Sequence, residues 1–511
     1  MTEKTGGIHI MRGIRTAVSD LRKQIFTEVA KVACNDEANL NDAVEAIPYT
    51  VCPGDVPRYR ESIYRERTIA AEKVRLAMGM SLRPADRPVH VTSGLEESNI
   101  SEKYYEPPLM QVIPSACNMC EEKKYEVSNM CQGCIAHPCT EVCPKGAITQ
   151  VNGKSYIDQS KCIKCGKCKA ACPYDAIAKK VRPCSVACGV GAISTDELGR
   201  AKIDPNKCVA CGQCMVSCPF GAIGDKSQIF QLLRCMKEGG KVVAEIAPAY
   251  VGQFGPNASP ENVKEALLEL GFTDVREVAY GADIGAVAEA KHYAEHVATG
   301  ELPFLLTSCC PAWSMLAKKQ FPDLIGSVSQ ELTPMVATAR SIKKENPDVK
   351  VVFVGPCAAK KLEASRSSVR SDVDFVITFE ELDAMFAAKG IDPNKVEGTE
   401  GLHDATAAGR GYACAGGVAG AIEQCIHEYY PGVEVKIEHA DGLAECKKAL
   451  MLAKAGKKDG CMIEGMGCPG GCIAGAGTIL ALNKAQQEVK KIQEESEQKI
   501  PPKELADIEL L

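Results

Sequence analysis

Cys162, Cys165, Cys168 and Cys172 stand in the sequence as C-x2-C-x2-C-x3-C-P, and Cys208, Cys211, Cys214 and Cys218 repeat the pattern. A loop of that spacing wraps three thiolates around one face of a 4Fe-4S cubane, while the fourth cysteine, before proline, reaches a neighbouring cluster. Zinc ribbons use two C-x2-C pairs and leave the third and fourth thiols without a role. A variant, C-x2-C-x4-C-x3-C-P, occupies Cys131, Cys134, Cys139 and Cys143. Cys117, Cys120, Cys184 and Cys188 remain. They form either a discontinuous fourth half-motif or, with Cys117 and Cys120 free, part of a three-cluster arrangement. Sixteen of the chain's 28 cysteines thus fall between Cys117 and Cys218. The opening residues, MTEKTGGIHIMRGIRTAV, lack a signal-peptide core, so the expected compartment is the cytoplasm, where metal binding is a better reading of these thiols than disulfides.

Crossed ligation assigns Cys131, Cys134, Cys139 and Cys172 to one cluster and Cys162, Cys165, Cys168 and Cys143 to its partner, in a unit of bacterial-ferredoxin type. A second unit would hold Cys208, Cys211, Cys214 and Cys188, with Cys117, Cys120, Cys184 and Cys218 as the fourth set. Cubanes in a row move single electrons and make no bonds, so the rest of the chain must use them.

Three loops downstream place cysteines directly after apolar strand patterns, where open α/β sheets put their active sites. They read Thr307-Ser-Cys-Cys-Pro-Ala-Trp313, Val354-Gly-Pro-Cys-Ala-Ala-Lys-Lys-Leu-Glu363 and Glu464-Gly-Met-Gly-Cys-Pro-Gly-Gly-Cys472. In this order, after ferredoxin repeats, they resemble the signature of the iron-iron hydrogenases over about residues 111–485. The resemblance implies a cofactor, the H-cluster, in which a cubane held by Cys310, Cys357, Cys468 and Cys472 shares the last thiolate with a diiron unit carrying carbonyl, cyanide and azadithiolate. It makes Cys309 the thiol that passes a proton to the bridging amine, and Lys360 the cationic donor to a cyanide. Met466 lies near the bridging carbonyl, Pro248 and Ala249 pack on the distal iron, and Glu289 and Ser329 continue the proton relay. Glu363 is expected to be structural, and Lys361 is read as an ordinary surface lysine.

The sequence departs from that pattern at His292 and His296, where relatives carry Glu and Arg, at Met335 in place of Gln, at Gly355 in place of Met, and at Ala476 within a glycine run. These departures point to a divergent subgroup, often called group B. Gly465, Gly467 and Gly470 formally match G-x-G-x-x-G, but metal claims the cysteine among them and no acidic ribose ligand follows. The implied electron partner is therefore a ferredoxin, and dedicated maturases would supply the diiron unit. Two other readings stay open: a non-catalytic relative serving iron-sulfur assembly, and a hydrogen sensor.

Four stretches must position these residues: a helical region of unknown role (1–110), the 4Fe-4S region (111–225), an α/β catalytic region (226–485) and a charged C-terminal helix read as a solvated tail (486–511). In the third, the apolar runs KVVAEIAP, LPFLLTS, VKVVFVG, DFVITF and GCMIEGM alternate with helix patterns. That alternation predicts two parallel-sheet lobes around a central metal cofactor, preceded by α+β ferredoxin-like domains. With 45% hydrophobic and 25% charged residues the chain is an ordinary globular protein. A net charge of −6 and 5% aromatics give no footprint for nucleic acid, and no apolar run is long enough to span a membrane.

Overall fold

The computed structural model describes residues 13–35 and 39–510. Seven strands form the α/β region: β1 (Val242–Ile246), β2 (Asp274–Glu277), β3 (Leu305–Leu306), β4 (Lys350–Gly355), β5 (Phe375–Thr378), β6 (Lys436–Asp441) and β7 (Cys461–Met466). They pair in parallel as two sheets, in the orders β2-β1-β4-β5 and β3-β7-β6. Helices cover the sheets, so β1, β5 and β7 are buried at every position, as continuous apolar runs require. The sequence reading omitted β2 and β6. Both are edge strands, and their half-exposed runs DVRE and KIEHAD carry no continuous apolar signal.

Seven helices matter for the site: α1 (Ala17–Cys34), α2 (Leu40–Val51), α3 (Ile63–Ala77), α4 (Val278–His292), α5 (Pro311–Gln320), α6 (Ala358–Glu363) and α7 (Leu482–Glu495). The first starts where Thr16 and Ser19 cap each other reciprocally. Its apolar face (Ile25, Phe26, Val29, Ala30, Ala33) enters the same core as β1, β4 and β5. The N-terminal helices therefore continue the hydrophobic core of the larger sheet. The charged helix α3 is buried along most of its length because its charges are satisfied locally. Glu66 accepts the backbone N–H groups of Arg58 and Arg60 at 2.7 Å each, and Arg75 donates to the carbonyls of Val91 and Ser93.

Two expectations need correction. The C-terminal segment is not a solvated tail: α7 starts at Leu482, before the expected boundary, and buries Ala485, Val489 and Ile492 as one stripe, while Arg410 donates to the Ser496 hydroxyl at 2.7 Å. Lys361 is no surface lysine. Its side chain is 1% exposed and its ammonium lies 2.7 Å from both Asp225 and Glu381, tying the end of the 4Fe-4S region to the catalytic core.

Short hairpins build the cysteine-rich region. Ile148–Val151 pairs with Lys154–Ile157, Ile193–Thr195 with Ala201–Ile203, and Lys124–Val127 closes on Ile177–Lys180, all antiparallel. Each hairpin fixes the turn that carries a set of thiols.

Candidate functional site

The C-terminal ends of four parallel strands converge on one buried cavity of about 80 Å³. After β1 the chain turns through Pro248 and Ala249. After β3 it reaches Cys309 and Cys310, the latter capping α5, and after β4 it reaches Cys357, which caps α6. After β7 come Met466, Cys468 and Cys472. All of these residues, with Lys360, line the cavity. Parallel strands point their C-terminal ends the same way, which is why loops distant in sequence meet here.

The cavity wall is almost entirely apolar, and the thiols suffer for it. Burial pushes Cys357 well above the ordinary thiol range, and the neighbouring Cys468, Cys310 and Cys472 add to the shift; Cys472 is raised for the same two reasons. Four crowded thiols in a dry site are poor acids by themselves, and bound metal is what would hold them as thiolates. Two groups already donate to them: the Gly467 backbone N–H to Cys310 Sγ at 3.4 Å, and the Gln213 amide to Cys468 Sγ at 3.2 Å. Lys360 Nζ lies 2.8 Å from Glu363 Oε2, close enough for an ion pair, yet neither atom completes a well-aligned hydrogen bond. The ammonium is charged, buried and left with donors to spare on the cavity wall. A metal group with anionic ligands fits that set of donors. Glu363 also accepts from the Thr333 hydroxyl at 2.8 Å, so its position is fixed from both sides.

The departures in sequence have local explanations. A side chain at Gly355 would begin 2.5 Å from the Phe353 ring, so Phe353 fills the space and itself lines the cavity, beside Met335. The methyl of Ala476 lies 2.4 Å from where a Cβ on Gly212 would stand, so only glycine fits there. That contact seats the 4Fe-4S region against the catalytic loop.

Behind Cys309, Glu289 of α4 is buried, with the Ser329 hydroxyl and the Ser308 backbone N–H as partners. Burial raises its carboxyl to about 7, with Glu331 pushing the same way. Cys309 itself is raised well above the ordinary thiol range by burial and by the charge of Cys310. One turn further along α4, the rings of His292 and His296 stand 4.7 Å apart, and His296 Nδ1 lies 2.6 Å from Glu301. Burial and the neighbouring His296 lower His292.

In the cysteine-rich region the thiols gather in fours. One small cavity is lined by Cys131, Cys134, Cys139 and Cys172, another by Cys143, Cys162, Cys165 and Cys168, and a third by Cys117, Cys120, Cys184 and Cys218. Cys188, Cys208, Cys211 and Cys214 form the remaining set, close enough for the Cys188 charge to raise each of the other three. The backbone N–H four residues on donates to Cys143, Cys172, Cys188 and Cys218 alike, at 3.2–3.4 Å. By that measure the discontinuous half-motif has the same local geometry as the intact ones. Among the described residues, no three His, Cys, Asp or Glu side chains are placed to hold a single metal ion.

Residues 240–476 match the family described as iron only hydrogenase large subunit, C-terminal domain, and residues 155–178 and 201–224 each match the 4Fe-4S binding domain. The chain belongs to the iron-only hydrogenase family. Iron hydrogenase 1 of Clostridium pasteurianum is 29% identical over 390 residues, which cover 65% of this chain and 67% of that protein. The periplasmic Fe hydrogenase large subunit of Nitratidesulfovibrio vulgaris is 29% identical over 375 residues, covering 63% and 85%. A solved FeFe hydrogenase of Chlamydomonas reinhardtii aligns with 52% of this chain and 89% of its own at 23% identity and a TM-score of 0.45.

Three residues of this hydrogenase escaped the sequence reading. Gln213 sits inside a cysteine motif, and that position was its only signal. Glu331 faces both Glu289 and His292 from another loop, and Lys361 hid beside Lys360. Among the described residues, no helix is long and apolar enough to cross a membrane.

Proposed function

We propose that the chain catalyses the reversible combination of two protons and two electrons to dihydrogen, with its α/β region forming two lobes around the H-cluster. The observation that carries this reading is the single cavity where four thiols, an underused buried ammonium and a thiol backed by a carboxyl meet. Cys310, Cys357, Cys468 and Cys472 hold the cubane, and Cys472 also reaches the diiron unit. When bound, that group supplies the open metal site and the basic amine at which dihydrogen is made or split.

This chain's own residues do the rest. Lys360 donates to an anionic ligand of the diiron unit, and Glu363 keeps that lysine charged and in place. Met466, Pro248 and Ala249 keep the site dry. Cys309 exchanges a proton with the cofactor's amine, and Glu289 takes it up at a carboxyl that titrates about 7, suited to both accepting and releasing it near neutrality. Ser329 holds that carboxyl, and His292 leads toward solvent. Four accessory cubanes carry the electrons, the set containing Cys211 standing next to Cys468. A ferredoxin exchanges electrons with the distal end, and hydrogenase maturases install the diiron unit. Reduced thiols in this number suit the cytoplasm.

Infrared spectroscopy of anaerobically matured protein tests the reading. Carbonyl and cyanide stretches are expected, and Lys360→Ala should weaken them while sparing every cubane. Cubane signals without those stretches, despite co-expressed maturases, would move the assignment to a non-catalytic iron-sulfur protein.

A further inference from the structure

The two intact C-x2-C-x2-C-x3-C-P motifs can be laid on one another residue by residue, Cys162 upon Cys208, and what lies between the thiols differs sharply. In the second copy Val209, Ala210, Gln213 and Met215 are buried, Val209 at 1% exposure, and Gln213 donates to Cys468 of the catalytic site. In the first copy the same four positions hold Ile163, Lys164, Lys167 and Lys169. Ile163 is 55% exposed, Lys167 and Lys169 are exposed, and Cys165, the counterpart of the buried-side Cys211, is the one exposed cysteine among those described.

Lys161 is neutralised by Asp158 at 3.7 Å, as Lys207 is by Asp204 in the other copy. Lys164, Lys167 and Lys169 form no ion pair among the described residues, and no acidic residue interrupts the run from Lys161 to Lys169. In a chain of net charge −6 these three uncompensated cations surround the thiol nearest to water. The face that in one copy passes electrons inward is, in the other, turned outward and given positive charge.

We infer that the loop Lys161–Lys169 is the docking face for an acidic one-electron carrier protein, whose carboxylates meet Lys164, Lys167 and Lys169 while Ile163 packs at the centre. This rests on the proposed function for its electron demand. The carrier gives up one electron, the cubane held by Cys143, Cys162, Cys165 and Cys168 gains it, and two such transfers serve each pair of protons reduced. Attraction must be local, because the net charges of two acidic proteins repel. Association is therefore expected to weaken with salt as the patch is screened.

The test uses the full iron-loaded chain and an acidic bacterial ferredoxin with two 4Fe-4S clusters as the probe. The triple variant Lys164→Glu, Lys167→Glu, Lys169→Glu should raise the KM for this ferredoxin at least tenfold at low ionic strength, measured against methyl viologen as a small donor at equal iron content. It should also flatten the salt dependence. Unchanged KM and salt dependence overturn the inference. Calorimetric binding of oxidised ferredoxin reads the face without turnover: binding lost in the variant supports the docking face even where no dihydrogen forms, an outcome in which only the proposed function fails. Binding retained in the triple variant overturns the face. Should charge reversal cost the neighbouring cluster, Lys→Gln at the three positions replaces it, and a KM between wild type and tenfold is expected.

Discussion

Residues 162–172 and 208–218 carry the same ligand spacing and opposite surroundings. In the copy at 208–218 the positions between thiols are apolar or neutral and packed against the catalytic region, through Gly212 on Ala476 and Gln213 on Cys468. In the copy at 162–172 they are cationic and open to water. Desolvating a lysine without an acidic partner is expensive, so Lys164 and Lys167 could not stand where Ala210 and Gln213 do. Ligand spacing specifies a cluster, and the residues in the gaps specify whether that cluster speaks to protein or to solvent.

The comparison breaks most visibly if the two clusters prove interchangeable. Cys211→Ser, on the inward copy, should lower both viologen-linked and ferredoxin-linked dihydrogen production by ~100-fold. Cys165→Ser, on the outward copy, should fall chiefly on the ferredoxin-linked rate. Equal losses from both donors in the two variants would mean that the copies do not differ in role.

A smaller, compositional effect concerns the discontinuous half-motif between them. Cys117→Ser with Cys120→Ser should remove about four irons per chain, one cubane's worth, and the matching part of the reduced-state EPR spectrum. Unchanged iron would leave the inward copy without its expected partner cluster.

Gln213→Leu removes an N–H donor from Cys468 Sγ at 3.2 Å. A donor to sulfur favours the more negative, reduced cluster, so the variant should lower the catalytic cubane's midpoint potential, read by a spectroelectrochemical titration, and slow turnover a few-fold. The equivalent change on the outward copy, Lys167→Leu, should leave that potential where it is.

The smallest effects lie on the proton side and serve as a control. Exchanging His292 and His296 for Ala should reshape the pH profile of the viologen-linked rate between about 6 and 8 and leave the KM for ferredoxin alone. Glu289 adds a stability test. Its carboxyl is raised to about 7 by burial, so the folded state holds the proton more tightly than the unfolded chain does. Its contribution to stability is full below the unfolded carboxyl range and is lost as pH rises through about 7. Wild type should therefore lose thermal stability relative to Glu289→Gln between pH 5 and pH 8. An unchanged difference across that range would mean that the carboxyl titrates normally.

Much of this was legible in the residues alone. Cysteine spacing is local, and so is the crossing rule, so the four sets of thiols could be written down before any fold was known. The loops after β1, β3, β4 and β7 were equally legible, because a buried parallel strand must be a continuous apolar run and the chemistry sits where it stops. Edge strands β2 and β6 were not, since half their positions face water.

Sequence by itself determined which atoms can bind iron, how many there are and in what local geometry, because a few covalently linked residues fix those distances. Only the tertiary structure decided which motif copy turns inward, that Lys361 is sealed between Asp225 and Glu381 while Lys360 keeps donors to spare, and that Gln213 reaches a thiol 255 residues away. Burial and long-range pairing depend on how the whole chain packs, and identical short segments meet different neighbours. The spacing of thiols survives that change of neighbours; the dielectric and charge around them do not.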